Sequence, residues 1–139
     1  MAEPVRILFY CIGNACRSPL AEAICRHLGG EAVEVSSAGV APMGSVSEGS
    51  LNALRSLGIS TADLSSKGLS DITPADYDLV ISLDADFPVM RILGPEVAFR
   101  YEDWDIPDPL GDDTEVYLDV AHLLRKRIEE LLRLEGLLS

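Results

Sequence analysis

The chain has 139 residues and a formal net charge of −12, from 23 acidic residues against 11 basic ones. That length suits one domain with a real core, and 47% hydrophobic with 24% charged residues excludes a disordered or collagen-like chain. So acidic a chain is repelled by nucleic acid and by anionic membranes, and neither is an expected partner.

In chain order, Val5-Arg6-Ile7-Leu8-Phe9-Tyr10 reads as a strand. Its nearly continuous apolar run suits the buried middle of a parallel sheet. A helix is expected at once over residues 18–28, with Pro19 in its first turn and Gly29-Gly30 at its end. Residues 33–37 form the second strand. Ser45 and Glu48 have capping-box spacing before Leu51, Leu54 and Leu57, which share a helical face closed by Gly58. Residues 79–83 give a third strand, residues 87–93 a short helix and residues 97–100 a fourth strand. Pro107, Pro109 and Gly111 mark residues 102–113 as a loop. From about Thr114 onward, Val116, Val120, Leu124, Ile128, Leu131 and Leu138 recur near a helical period, with Asp113 or Thr114 as cap. Strands alternating with helices predict an α/β fold: a three-layer α/β/α arrangement with a four-stranded parallel sheet and helices on both faces. No linker or repeat divides it, so residues 1–139 read as a single domain.

Met1-Ala2-Glu3-Pro4 carries no basic leader, and the apolar run after it is about six residues, too short for a signal or a membrane span. The three cysteines (Cys11, Cys16 and Cys25) do not make a disulfide framework, and a cytoplasmic location is expected. With His27 and His122 they show no paired ligand spacing, so no metal is expected.

The end of the first strand carries Cys11-Ile12-Gly13-Asn14-Ala15-Cys16-Arg17-Ser18. In open α/β sheets, ligands bind where a strand end meets a helix start. The residues after Cys11 can turn their N–H groups inward, with Gly13 and Asn14 best able to take unusual backbone angles. Arg17 opens the helix with a planar fork that matches two phosphate oxygens, and the helix dipole adds positive potential. A dianionic phosphate fits such a cradle. The same donors favour thiolate over thiol at Cys11, and Ser18 can donate a hydrogen bond to the sulfur. A buried cysteine is ordinarily inert core; the strand before, glycine within and helix after favour a nucleophile here. Cys25 falls inside the helix and reads as core. Cys16 is either a reversible disulfide partner for Cys11 or a small space-filling residue.

Ile7 to Ala23, with this loop at its centre, resembles the signature of the low-molecular-weight protein tyrosine phosphatase family. Ser36-Ser37-Ala38-Gly39, Tyr77-Asp78-Leu79-Val80-Ile81 and Ile106-Pro107-Asp108-Pro109-Leu110-Gly111 resemble further family segments, so the likeness covers nearly the whole chain. It implies that Cys11 is the nucleophile, Arg17 the phosphate ligand, Asp108 the general acid, and Asn14 with Ser37 a brace for the loop. Glu102, Asp103, Asp105, Asp108, Asp112, Asp113, Glu115 and Asp119 lie together without a Lys or Arg among them. Such crowding favours a protonated acid, and Pro107 and Pro109 stiffen its loop. The alternatives are a solvated acidic loop and, for Ser37, an ordinary strand-end serine.

The chain also departs from the family. Members acting on phosphotyrosine place aromatic residues at the pocket rim where this chain has Met43 and Leu110. Related phosphoarginine phosphatases carry threonine where this chain has Ala15. Related arsenate reductases of one type need two more cysteines after the third strand, and the stretch Ser82-Leu83-Asp84-Ala85-Asp86-Phe87-Pro88-Val89 has none. An arsenate reductase using an external thiol stays open. A non-catalytic phosphate-binding module would need neither a nucleophile nor an acid. The resemblance therefore implies a phosphomonoester hydrolase working through a phosphocysteine, without cofactor. Its expected substrate is a phosphorylated protein, phosphotyrosine first, or a small phosphomonoester.

Overall fold

The computed structural model describes residues 3–95 and 99–138. Strand β1 (Val5–Cys11) runs through the middle of the protein, and its residues from Ile7 onward are at most 2% exposed. Burial on both faces is what its unbroken apolar sequence encodes. β1 pairs in parallel with β2 (Val33–Gly39) on one side and β3 (Leu79–Ser82) on the other. β4 (Arg100–Asp103) pairs in parallel with β3, giving the order β2-β1-β3-β4. The sheet is the four-stranded parallel one expected. Half of the expected fourth strand at residues 97–100 lies outside the described residues; the strand described begins at Arg100 and continues to Asp103. All four of its residues are exposed and three are charged, which keeps this edge from pairing with another chain.

Alternation along β1 sorts the helices. Ile7, Phe9 and Cys11 face a core built with α1 (Arg17–Gly29), α2 (Glu48–Ser56) and α4 (Thr114–Glu135). Leu8 and Tyr10 face the opposite side, covered by the short α3 (Val89–Leu93) and by Leu69, Ile72 and Phe87 from the connections. The layers are therefore unequal. Among the described residues no helix is long and apolar enough to cross a membrane.

Several boundaries differ from expectation. α1 starts at Arg17, one residue early, which places the guanidinium in the first turn. α2 is capped by Ser47, whose Oγ accepts from the Ser50 N–H, and not by a Ser45/Glu48 box. The cause lies outside the helix: the Ser47 N–H donates to Ala15 O at 2.9 Å and sets where the turn begins. In α4, Asp113 is the cap, Tyr117 is buried while Val116 is only half-buried, and Leu138 lies beyond the helix end. The Gly136 φ of +72° stops that helix.

The strand order reverses at β1, since β1-α1-β2 winds to one side and β3 adds on the other. The carboxyl end of β1 is thus the crevice where an α/β sheet takes its ligand. Gly39, opposite Cys11 in β2, is the close approach that makes room there. A Cβ on it would lie 2.8 Å from both Asn14 N and Ile12 O, which are backbone atoms with little freedom to retreat. Gly39→Ala is expected to destabilise the protein by about 2–3 kcal/mol in urea unfolding, well beyond an ordinary strand glycine.

Candidate active site

The loop after β1 is held by its carbonyls. Cys11 O accepts from Val40 N (3.0 Å), Ile12 O from Ala41 N (2.7 Å), Gly13 O from Met43 N (2.9 Å) and Ala15 O from Ser47 N (2.9 Å). Ser66 Oγ adds a bond to Gly13 O, and Ser50 Oγ one to Cys16 O, each at 3.1 Å. With the carbonyls turned outward, the N–H groups of residues 13–17 have no backbone acceptor among the described residues. The loop they belong to lines a cleft. No side chain caps α1, and its first turn holds no acid, so the helix N-terminus is open to an anion as well.

Cys11, Ile12, Gly13, Ala15, Cys16, Arg17, Met43, Asp108 and Leu110 line this cleft. Nine of the residues singled out from sequence therefore meet in one place. Cys11 is buried, and its Sγ lies 3.0 Å from Ser18 Oγ. Asn14, Ser18 and Ser37 sit behind the loop, fully buried. Asn14 adopts a φ of +46° and binds three ways: Nδ2 donates to Ser18 Oγ (2.8 Å) and Ser37 Oγ (2.9 Å), while Oδ1 accepts from Lys67 N (2.8 Å). An asparagine tolerates that left-handed turn because its side chain bonds locally.

Arg17 is 5% exposed, and its fork is anchored from behind. Nη2 bonds Asp84 Oδ2 at 2.9 Å, and Nη1 donates to Ile106 O at 3.0 Å. Nε is buried with no hydrogen-bond partner among the described residues. A buried guanidinium N–H without an acceptor, on a residue that lines a cleft beside loop amides lacking backbone acceptors, is consistent with an oxyanion site. Asp108 stands across from it, 40% exposed, with Oδ2 3.6 Å from Arg17 Nη2 and Oδ1 accepting from Leu110 N at 3.1 Å. The acidic stretch around Asp108 is partly structural. Glu102 holds the Trp104 indole, Asp103 holds the Val89 N–H, and Asp113 caps α4. The one charged partner of Asp108 among the described residues is the Arg17 guanidinium.

Cys16 points toward Ser47 Oγ (3.5 Å) and the Tyr117 hydroxyl (3.6 Å). Burial pushes the Tyr117 phenol upward. Cys25 lies in the core, where burial pushes its thiol up to about 12 and keeps it unreactive. Sequence reasoning missed Asp84, Glu22 and Tyr117. Asp84 shows only as one acid among several after β3, and nothing local reveals that it meets Arg17.

A family model described as low molecular weight phosphotyrosine protein phosphatase matches residues 6–137. A glutaredoxin arsenate reductase of Synechocystis sp. is 30% identical, covering 91% of this chain and 95% of the relative. A protein-arginine-phosphatase of Geobacillus stearothermophilus is 34% identical, with 92% and 94% covered. The crystal structure of a low molecular weight protein tyrosine phosphatase from T. tengcongensis superposes with a TM-score of 0.81 at 30% identity, covering 93% of this chain and 97% of that one.

The Asp84 contact is testable apart from chemistry. Asp84→Ala leaves a buried guanidinium short of its closest counter-charge, and is expected to cost about 3 kcal/mol in urea unfolding. An exposed acid such as Asp112 should change stability by less than about 0.5 kcal/mol when replaced.

Proposed function

The chain belongs to the low molecular weight phosphotyrosine protein phosphatase family, and from that premise we propose how its residues divide the work of a cysteine-dependent phosphatase. The observation that carries the reading is the loop beside one thiol: its carbonyls are bonded to the neighbouring segment, its amides have no backbone acceptor among the described residues, and the buried Arg17 Nε is unpartnered there. The phosphoryl group docks there with its equatorial oxygens on the amides of residues 12–17 and on Arg17. Cys11 Sγ attacks phosphorus in line as the P–O bond to the leaving group breaks. Asp108 gives its proton to the departing oxygen. It then takes one from the water that hydrolyses the phosphocysteine and frees inorganic phosphate. Ser18, 3.0 Å from the sulfur, stabilises it both as nucleophile and as leaving group. No step calls for a cofactor.

For the substrate we propose a phosphorylated protein, with phosphotyrosine as the residue cleaved. Ile12, Met43 and Leu110 are 39%, 59% and 49% exposed at the cleft, an apolar collar of the kind that packs on a phenyl ring without stacking on it. Ala15 in the wall offers no hydroxyl, which removes support for phosphoarginine. Arsenate is a tetrahedral oxyanion that suits the same cradle. Beyond Cys11, however, the chain has only Cys16 and the core residue Cys25, so reduction would depend on an external thiol.

Hydrolysis of para-nitrophenyl phosphate, with arsenate reduction by supplied thiols run in parallel, separates these readings. Cys11→Ser is expected to abolish hydrolysis, and surviving turnover would remove Cys11 from the role. Asp108→Asn should slow alkyl esters, which have poor leaving groups, by about 100-fold or more and the activated nitrophenyl ester far less. Equal slowing of both would count against the acid. Arsenate turnover without ester hydrolysis would favour the reductase.

A further inference from the structure

Glu22 is a carboxylate at 2% exposure in the middle of α1, outside the cleft, and the mechanism above gives it nothing to do. Both its oxygens meet donors. Oε2 takes the Arg26 guanidinium, which also donates to Val35 O at 3.0 Å. Oε1 takes the Ser37 hydroxyl at 2.6 Å. An ionised carboxylate only accepts, so the single Ser37 hydrogen is committed to Glu22. Ser37 Oγ can then meet Asn14 only as an acceptor, and it is Nδ2 that faces it at 2.9 Å. Lys67 N, bonded to Oδ1, imposes the same orientation from the other end. The second Nδ2 hydrogen goes to Ser18 Oγ at 2.8 Å. Ser18 therefore accepts there and keeps its own hydrogen to give. The Cys11 sulfur lies at 3.0 Å, nearer than its other acceptor, Ala38 O at 3.4 Å.

We infer that Glu22 is a positioning residue that fixes the Ser37 end of this chain, as the Lys67 N–H fixes Asn14, so that Asn14 stays braced and the hydrogen bond reaching Cys11 is donated to the sulfur. The inference rests on Cys11 being the nucleophile. Hydrogen bonds run from sulfur to carboxylate through Ser18, Asn14 and Ser37, each link buried, and a buried network of this kind holds one polarity when its end is a pure acceptor. Glutamine cannot replace Glu22 cleanly. Its NH2 must face either the Arg26 guanidinium or the Ser37 hydroxyl. Against Ser37 it supplies a hydrogen, turns the Ser37 hydrogen toward Asn14 Nδ2, and sets donor against donor. The brace that holds the strained Asn14 then loosens, and with it the donation from Ser18.

The test reads the thiol directly. Inactivation by iodoacetate, with inorganic phosphate as protectant, is followed in wild type, Glu22→Gln and Arg26→Gln, together with kcat for para-nitrophenyl phosphate, the inhibition constant for phosphate, and Tm. Glu22→Gln is expected to slow alkylation and kcat about tenfold while phosphate inhibition moves less than about twofold, because the amides and Arg17 still bind the anion. Arg26→Gln removes the outer ion pair but leaves the carboxylate against Ser37, and should keep alkylation within about twofold of wild type even where Tm falls as far. Should Glu22→Gln fold poorly, Ser37→Ala cuts the same chain and should slow alkylation likewise. Wild-type alkylation in either variant, or an equal loss in Arg26→Gln, would overturn the inference. Turnover surviving in Cys11→Ser would instead overturn the nucleophile assignment on which it rests.

Discussion

In the turn between β1 and α1 the backbone faces the wrong way for ordinary folding. Its carbonyls bond to the neighbouring segment of residues 40–47, and its amides have no backbone acceptor among the described residues. Buried amides without acceptors are costly, and a fold keeps them only when the surroundings over-determine the turn. Here they do. Gly39 lets the loop press onto β2 with no side chain between, Asn14 takes the left-handed turn, and three side-chain bonds lock it. The remaining architecture serves this arrangement. The central strand delivers Cys11, the strand-order reversal opens the crevice, and α1 adds its N-terminus.

Charge follows the same plan. The protein carries a formal net charge of −12, yet the cleft presents amides and one guanidinium to an anionic substrate. Arg17 keeps its place through Asp84 and two backbone carbonyls, and its buried Nε has no hydrogen-bond partner among the described residues. The attraction is local and is delivered by fixed dipoles that need no reorganisation when the phosphoryl group arrives. The acids near Asp108 are not one electrostatic device. Glu102, Asp103 and Asp113 each hold a backbone or indole N–H that shapes the loop and the start of α4.

Much of this was legible from the chain alone. The continuous apolar run of β1 announced a buried parallel strand, and the Cys11-to-Ser18 segment announced its loop, since glycine, asparagine and arginine stand where a phosphate cradle needs them. Helix starts were harder. Ser45 and Glu48 match a capping box, yet Ser47 caps α2 because a long-range bond to Ala15 O positions that turn. Asp84 and Glu22 were invisible for the same reason. Their roles are set by contacts with residues 67 positions away in one case and 15 in the other, and no local pattern encodes those pairings. In α4 the periodic residues located the helix, while Tyr117 took the buried place that Val116 was expected to hold.

Every step of the account passes through a covalent bond between Cys11 sulfur and phosphorus. Asp108→Asn protein mixed with a 32P-labelled activated aryl phosphate and quenched within milliseconds gives the sharpest view. The leaving group then needs no acid, while breakdown of the intermediate lacks its base. The account predicts label on the peptide that carries Cys11, displaced by unlabelled substrate in a chase. Release of aryl alcohol with label on another residue, or on none, would contradict it.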